Sequence, residues 1–254
     1  MGMMLVFFGV TYLMPIATSI IYNDEELIDF IDAMVFCYLV GFGLWWLTRQ
    51  FKRELQARDG FLLVTLAWVM MAAIATVPLM MAIPGLSFTD AFFETMSGLT
   101  TTGATVLSGL ENLSPSINIW RHELNWLGGM GIIVLAVAIL PLLGVGGMQL
   151  YKAETPGPMK DSKLTPRIAS TAKALWLVYF GITVACILSL KLVGMNWLDA
   201  ICHAFAALSL GGFSTYDASV GHFDSPAIEA VLIVFMMLAG MNFATHFVAL
   251  RGRS

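Results

Sequence analysis

Residues 90–105, DAFFETMSGLTTTGAT, set three threonines and a glycine at the end of a stretch able to form a short helix. Gly103 permits backbone conformations that a Cβ resists. Thr100, Thr101 and Thr102 place successive carbonyls and hydroxyls ahead of that glycine. Turned toward one axis, such oxygens can replace the water shell of a cation. The stretch therefore predicts one wall of an ion-selectivity filter. A lone TTTG would not decide this, because threonine runs before glycine also end strands and turns.

A second copy decides it. Residues 199–214, DAICHAFAALSLGGFS, align with the first stretch without a gap, pairing Asp90 with Asp199, Leu99 with Leu208, Thr100 with Ser209 and Gly103 with Gly212. Upstream, Gly85 pairs with Gly194. Downstream, after a two-residue lengthening, Pro115 pairs with Pro226 and Gly129-Met130 with Gly240-Met241. Internal repeats in membrane proteins place function at the interface between copies, so the duplication points to these two loops.

The composition is that of an integral membrane protein. The chain is 58% hydrophobic and only 12% charged, with a mean hydropathy of +0.81, where soluble domains are about a quarter charged. Six stretches free of Asp, Glu, Lys and Arg read as spans, at 3–22, 33–48, 61–83, 124–147, 174–190 and 230–250, each near the ~20 residues a bilayer core requires. The first has neither a basic leader nor a small-residue cleavage site, so it is expected to be a retained helix. Cys37, Cys186 and Cys202 read as buried, inert thiols.

The charges sort by side. Asp24, Glu25, Glu26, Asp29 and Asp32 fill one turn. Arg49, Lys52, Arg53 and Arg58, then Lys152, Lys160, Lys163, Arg167 and Lys173, and finally Arg251 and Arg253 mark the cytoplasmic side under the positive-inside rule. Of the thirteen bases only Arg121 and Lys191 then lie outside. Both termini are expected in the cytoplasm, with both loops opening outward.

The domain reading follows: 1–58, an N-terminal helical pair acting as scaffold, kinked at Pro15; 59–147, a first helix, pore loop and helix; 148–173, a basic cytoplasmic connector; 174–254, the second repeat. The fold class is an all-α integral membrane protein of two helix–pore-loop–helix repeats preceded by an extra helical pair. Ser87 or Thr89 can cap the helix near Asp90, and Asp90 and Asp199 favour the positive ends of their helix dipoles. Each short helix directs its partially negative C-terminal end at the loop, which attracts cations. Glu94, whose repeat partner is His203, reads as a satisfied buried carboxylate. Gly128-Gly129-Met130-Gly131 reads as a close-packing surface, and His122, His203, His222 and His246 as loop or interface residues.

The segments FFETMSGLTTTGAT, WLGGMGIIVLAVAILPLLGVGGMQLYKAETPGPMKD and SLGGFSTYDAS resemble the TrkH/TrkG potassium-uptake subunits of the Trk/Ktr/HKT superfamily. The likeness runs over essentially the whole chain. It implies that Thr101, Thr102 and Gly103 correspond to filter positions of the first repeat, and Leu210, Gly211 and Gly212 to those of the second. It also implies a four-repeat pore in a bacterial inner membrane, potassium as the transported ion, and a cytosolic nucleotide-binding regulatory partner of the TrkA type, for which the basic connector is a candidate contact. This chain carries two repeats, so a fragment or truncation is expected, completed by a missing half or a second copy. A dimer is expected, and no nucleic-acid partner.

Two readings compete. Ser214 with His246 resembles the nucleophile and base of an intramembrane serine hydrolase. An assembly subunit without conduction of its own is the other.

Overall fold

The computed structural model describes residues 1–50, 57–139 and 164–241. Among these residues, four helical stretches are long and apolar enough to cross a bilayer: Gly2–Tyr22, Leu27–Thr48, Leu62–Ala82 and Ala172–Leu192. The expected spans at 124–147 and 230–250 run beyond the described residues, as does most of the connector.

Proline shapes the first stretch. Helix α1 (Gly2–Gly9) passes through a 3₁₀ turn (Val10–Tyr12) into α2 (Leu13–Tyr22). Pro15 has no N–H, and its ring crowds the carbonyl four residues earlier. That carbonyl belongs to Thr11, inside the 3₁₀ turn, so the expected kink takes this form. Asn23, left-handed at φ 53°, ends α2. The acidic turn leads into α3 (Leu27–Thr48), where Arg49 lies 5.9 Å from the Trp45 and Trp46 rings.

Helix α4 (Ala57–Ala82) contains Pro78, which deprives the Ile74 carbonyl of its helical donor. The Tyr12 hydroxyl donates to that carbonyl at 3.2 Å. Trp120 donates to the next one, Ala75 O, at 3.1 Å, and its ring stacks on Tyr12 at 4.4 Å. A membrane proline is tolerated when a neighbour re-satisfies the freed carbonyl, and here the neighbour is the N-terminal pair. Leu5, Phe8, Tyr12, Phe30, Ala33 and Cys37 share one core with Ala72, Leu79, Leu99 and Trp120. The N-terminal pair therefore shares one core with the helices that follow, and Asp24 accepts the Ser116 N–H at 3.0 Å.

Among the described residues, four more helices follow a short 12-residue one, α5 (Phe88–Leu99): α6 (Pro115–Ile139), α7 (Leu164–Leu192), the short α8 (Trp197–Ser209) and α9 (Pro226–Gly240). Repeat-equivalent Pro115 and Pro226 each open a helix, where the missing N–H costs nothing. Helix α6 starts well before residue 124 because Arg121 and Glu123, which a search for uncharged stretches excludes, are buried within it at 1% and 5% exposure. A second core joins Met130, Tyr179, Cys186, Ala204, Leu208 and Leu232. All three cysteines are buried and free.

Candidate functional site

The two short helices are built alike. Ser87 accepts the Asp90 N–H at 3.1 Å, and repeat-equivalent Asn196 accepts that of Asp199 at 2.8 Å. Ser87 rather than Thr89 is the cap. At about 18 Å, twelve residues of helix reach only part-way through a ~30 Å hydrocarbon core.

Their C-terminal ends also match. Thr101 N–H bonds to Gly98 O at 2.9 Å and Thr102 N–H to Ser97 O at 2.9 Å. In the second repeat Leu210 N–H bonds to Ala207 O at 3.2 Å and Gly211 N–H to Ala206 O at 3.0 Å. This is the Schellman pattern, with a left-handed residue just past the helix. That residue is not glycine in either copy: Thr101 has φ 54° and Leu210 φ 55°, followed by Gly103 at 72° and Gly212 at 84°. A left-handed side-chain residue costs roughly 1–2 kcal/mol, so the backbone at both tips is held strained in the same way, a feature that clusters at functional sites.

The tips meet. A Cβ built on Gly103 would lie 1.5 Å from the Gly211 carbonyl oxygen, so only glycine allows the first loop to reach the second. The loops also lose donors to the helices but keep acceptors. The Thr100 hydroxyl turns back to Met96 O at 2.8 Å and lies 2.8 Å from the Thr102 hydroxyl. Among the described residues, no hydrogen-bond donor meets the carbonyls of Thr100, Thr101, Thr102, Gly103, Leu210, Gly211 or Gly212. Thr100 and Leu210 are exposed, and Gly211 is buried against Asn125.

Helix α6 is wedged between the two ends. A Cβ on Gly128 would lie 2.0 Å from Leu99 O, the last residue of α5. One on Gly129 would lie 3.0 Å from the Ser209 Cα, the last residue of α8. Small residues let backbones approach this closely.

Behind the tips, the repeat-equivalent positions make equivalent contacts with different chemistry. Glu94, 1% exposed, accepts from the Thr105 hydroxyl at 3.0 Å. His203 and Ser214 occupy the same positions in the second repeat, 3.1 Å apart. His203 Nδ1 faces the Asp199 carbonyl at 2.9 Å and so carries the proton. Ser214 accordingly donates to Nε2. Glu94 is further paired with Arg121, Nε and Nη2 each 2.8 Å from Oε1. Arg121, expected on the outer side, is buried within α6, because a buried carboxylate requires a buried counter-charge. His122 and His203, expected in loops or interfaces, are buried on α6 and α8.

A family profile described as TrkH, Cation transport protein, matches residues 27–253. The chain belongs to the TrkH family. It is 50% identical over its whole length to the Trk system potassium uptake protein TrkH of Escherichia coli K12, 53% of which it covers. It is 40% identical over 250 residues to that organism's TrkG, covering 52% of it. The solved potassium transporter TrkH from Vibrio parahaemolyticus superposes with a TM-score of 0.86 at 44% identity, over 98% of this chain and 50% of that one. The chain thus spans about half the length of the TrkH relatives it matches. The description common to the profile and these relatives is that of transport proteins. It gives no support to the hydrolase reading, for which Ser214 is engaged by His203 just as Thr105 is by Glu94, and His246 lies outside the described residues.

Sequence reasoning found both loops and missed what braces them. Charge alone places Arg121, and the one local signal for the His203–Ser214 pair is an offset equal to that of Glu94 and Thr105. Pro78 carried a usable signal, a helix-interior proline in a span that must find a donor elsewhere.

Proposed function

We propose that this chain supplies two of the four walls of a potassium-selective uptake pathway through the bacterial inner membrane. The observation that carries the proposal is the meeting of the two tips at Gly103 and Gly211, each with the same strained backbone and with carbonyls left without donors. Two helix C-terminal ends converge there and favour a cation. Backbone carbonyls at fixed spacing substitute for a potassium ion's hydration shell. The filter atoms are the carbonyls of Thr100, Thr101, Thr102, Gly103, Leu210, Gly211 and Gly212. Thr100's hydroxyl, used by its own helix, is not among them.

Two loops surround an ion on one side only, so the ring is completed by two further repeats, from additional chain or from a second copy. Both loops face outward, both ends of the chain face the cytoplasm, and the basic connector, outside the described residues, docks a TrkA-type nucleotide-binding subunit. The relatives' printed names, potassium uptake proteins, favour potassium as cargo.

The test is Gly103→Ser in the native gene, expressed in a bacterium deleted for its own potassium-uptake systems. A side chain at φ 72° facing the Gly211 carbonyl distorts both walls. Rubidium uptake should lose its discrimination against sodium. Wild-type discrimination in a stably inserted variant would refute the filter reading.

A further inference from the structure

The two repeats differ in charge behind their tips. In the first, a buried carboxylate, Glu94, is met by a buried guanidinium, Arg121. In the second, the equivalent positions hold His203 and, through the Pro115–Pro226 register, Leu232. Charge is thus present at both positions or at neither.

Arg121 does more than neutralise Glu94. Its Nη1 donates to Asn118 Oδ1 at 3.3 Å and to the backbone carbonyl of Ser214 at 3.3 Å, and Nη2 lies 3.4 Å from the Thr105 hydroxyl. Its guanidinium also sits 4.7 Å from the Phe213 ring centroid. Ser214 and Phe213 directly follow Gly212. Glu94 Oε2 in turn accepts the Val106 N–H at 3.2 Å, just beyond the first tip. One planar, always-charged group therefore holds the segments that leave both tips, which a point charge could not do with the same geometry.

We propose that Arg121 is the positioning residue for both pore loops: with Glu94 it braces the first, and through the Ser214 carbonyl and Phe213 ring it sets the second against it. The proposal rests on the filter reading above. It couples Glu94 to Arg121, so that neither charge is tolerated without the other. A lone arginine would leave an unpaired positive charge behind a cation pathway, and a lone carboxylate would be stranded in a dry site.

The experiment compares Glu94→Gln, Arg121→Leu and the double variant Glu94→His with Arg121→Leu, which transplants the second repeat's residues into the first. Each is expressed from the native gene in the same uptake-deficient bacterium, with protein in the membrane quantified. Each single change should raise the rubidium half-saturation concentration and lower rubidium-over-sodium discrimination on the order of tenfold or more, the scale of breaking a buried pair. The double variant should recover only part of both, standing between Arg121→Leu and wild type, because it removes the stranded carboxylate but leaves the Ser214 carbonyl and the Phe213 ring unheld. Either single variant behaving as wild type overturns the proposal, as does a double variant no better than Arg121→Leu. Should the single variants fail to insert, recovery of insertion and discrimination in the double variant still decides. Gly103→Ser separates the failures: if it alters discrimination and the Arg121 series does not, only this proposal falls.

Discussion

Gly128 and Gly181 are both helix-interior glycines, and the same substitution should move stability in opposite directions at the two. Alanine exceeds glycine in helix propensity by about 1 kcal/mol. Gly181, exposed on α7, has nothing within 4 Å of its would-be Cβ, so Gly181→Ala should realise that gain. Gly128 would place its Cβ 2.0 Å from Leu99 O and 2.7 Å from Leu99 C, where ordinary contact begins near 3.4 Å. One element must then move by more than an ångström, and the obstacle is backbone, which cannot swing aside. Overpacking costs about 1–3 kcal/mol, and a rigid obstacle falls at the upper end, leaving a net loss of about 1–2 kcal/mol. For a chain of this size that is roughly 2–4 °C per kcal/mol in Tm. Tryptophan-fluorescence melting in detergent reads both variants, with Gly181→Ala expected above wild type and Gly128→Ala below it. Because Leu99 leads directly into Thr100, Gly128→Ala should also weaken rubidium uptake. Shifts of the same sign at both glycines, or a raised Tm for Gly128→Ala, would refute the wedge geometry.

Other expectations follow from the same contacts. Tyr12→Phe leaves the Ile74 carbonyl without a donor and should cost about 1–3 kcal/mol; Pro78→Ala restores a helical N–H at that carbonyl, so Tyr12→Phe should cost clearly less in that background, and equal costs would exclude the link. Asp217 accepts the Leu110 N–H at 3.0 Å and the Gly109 N–H at 2.7 Å, joining the segments that follow the two tips. These bonds hold its carboxyl below the usual range. The contribution is therefore present above the unfolded carboxyl's pKa of about 3.9 and lost as pH falls through the lower folded value. The Tm difference between wild type and Asp217→Asn should be constant from neutral pH down to about 5 and shrink below about 4; a difference that grows on acidification would contradict the assignment.

Much of this architecture is legible in the chain itself. Apolar stretches of bilayer length give the spans, because a lipid solvent leaves few ways to satisfy a backbone. The gapless repeat gives two equivalent loops, and Asp90, Asp199, Gly103 and Gly212 give their helix starts and their left-handed turns, since capping and positive φ are local demands. What the tertiary structure alone decides is which groups meet. Gly103 faces Gly211, not its own repeat partner Gly212. Tyr12 supplies the donor that Pro78 removes, and Arg121 reaches from one repeat to the next. Leu210 and Thr101 adopt a left-handed conformation that their own side chains disfavour, at the Schellman ends of the two short helices. Steric contact and buried charge pairing act between residues distant in sequence, and neither leaves a periodic trace in it.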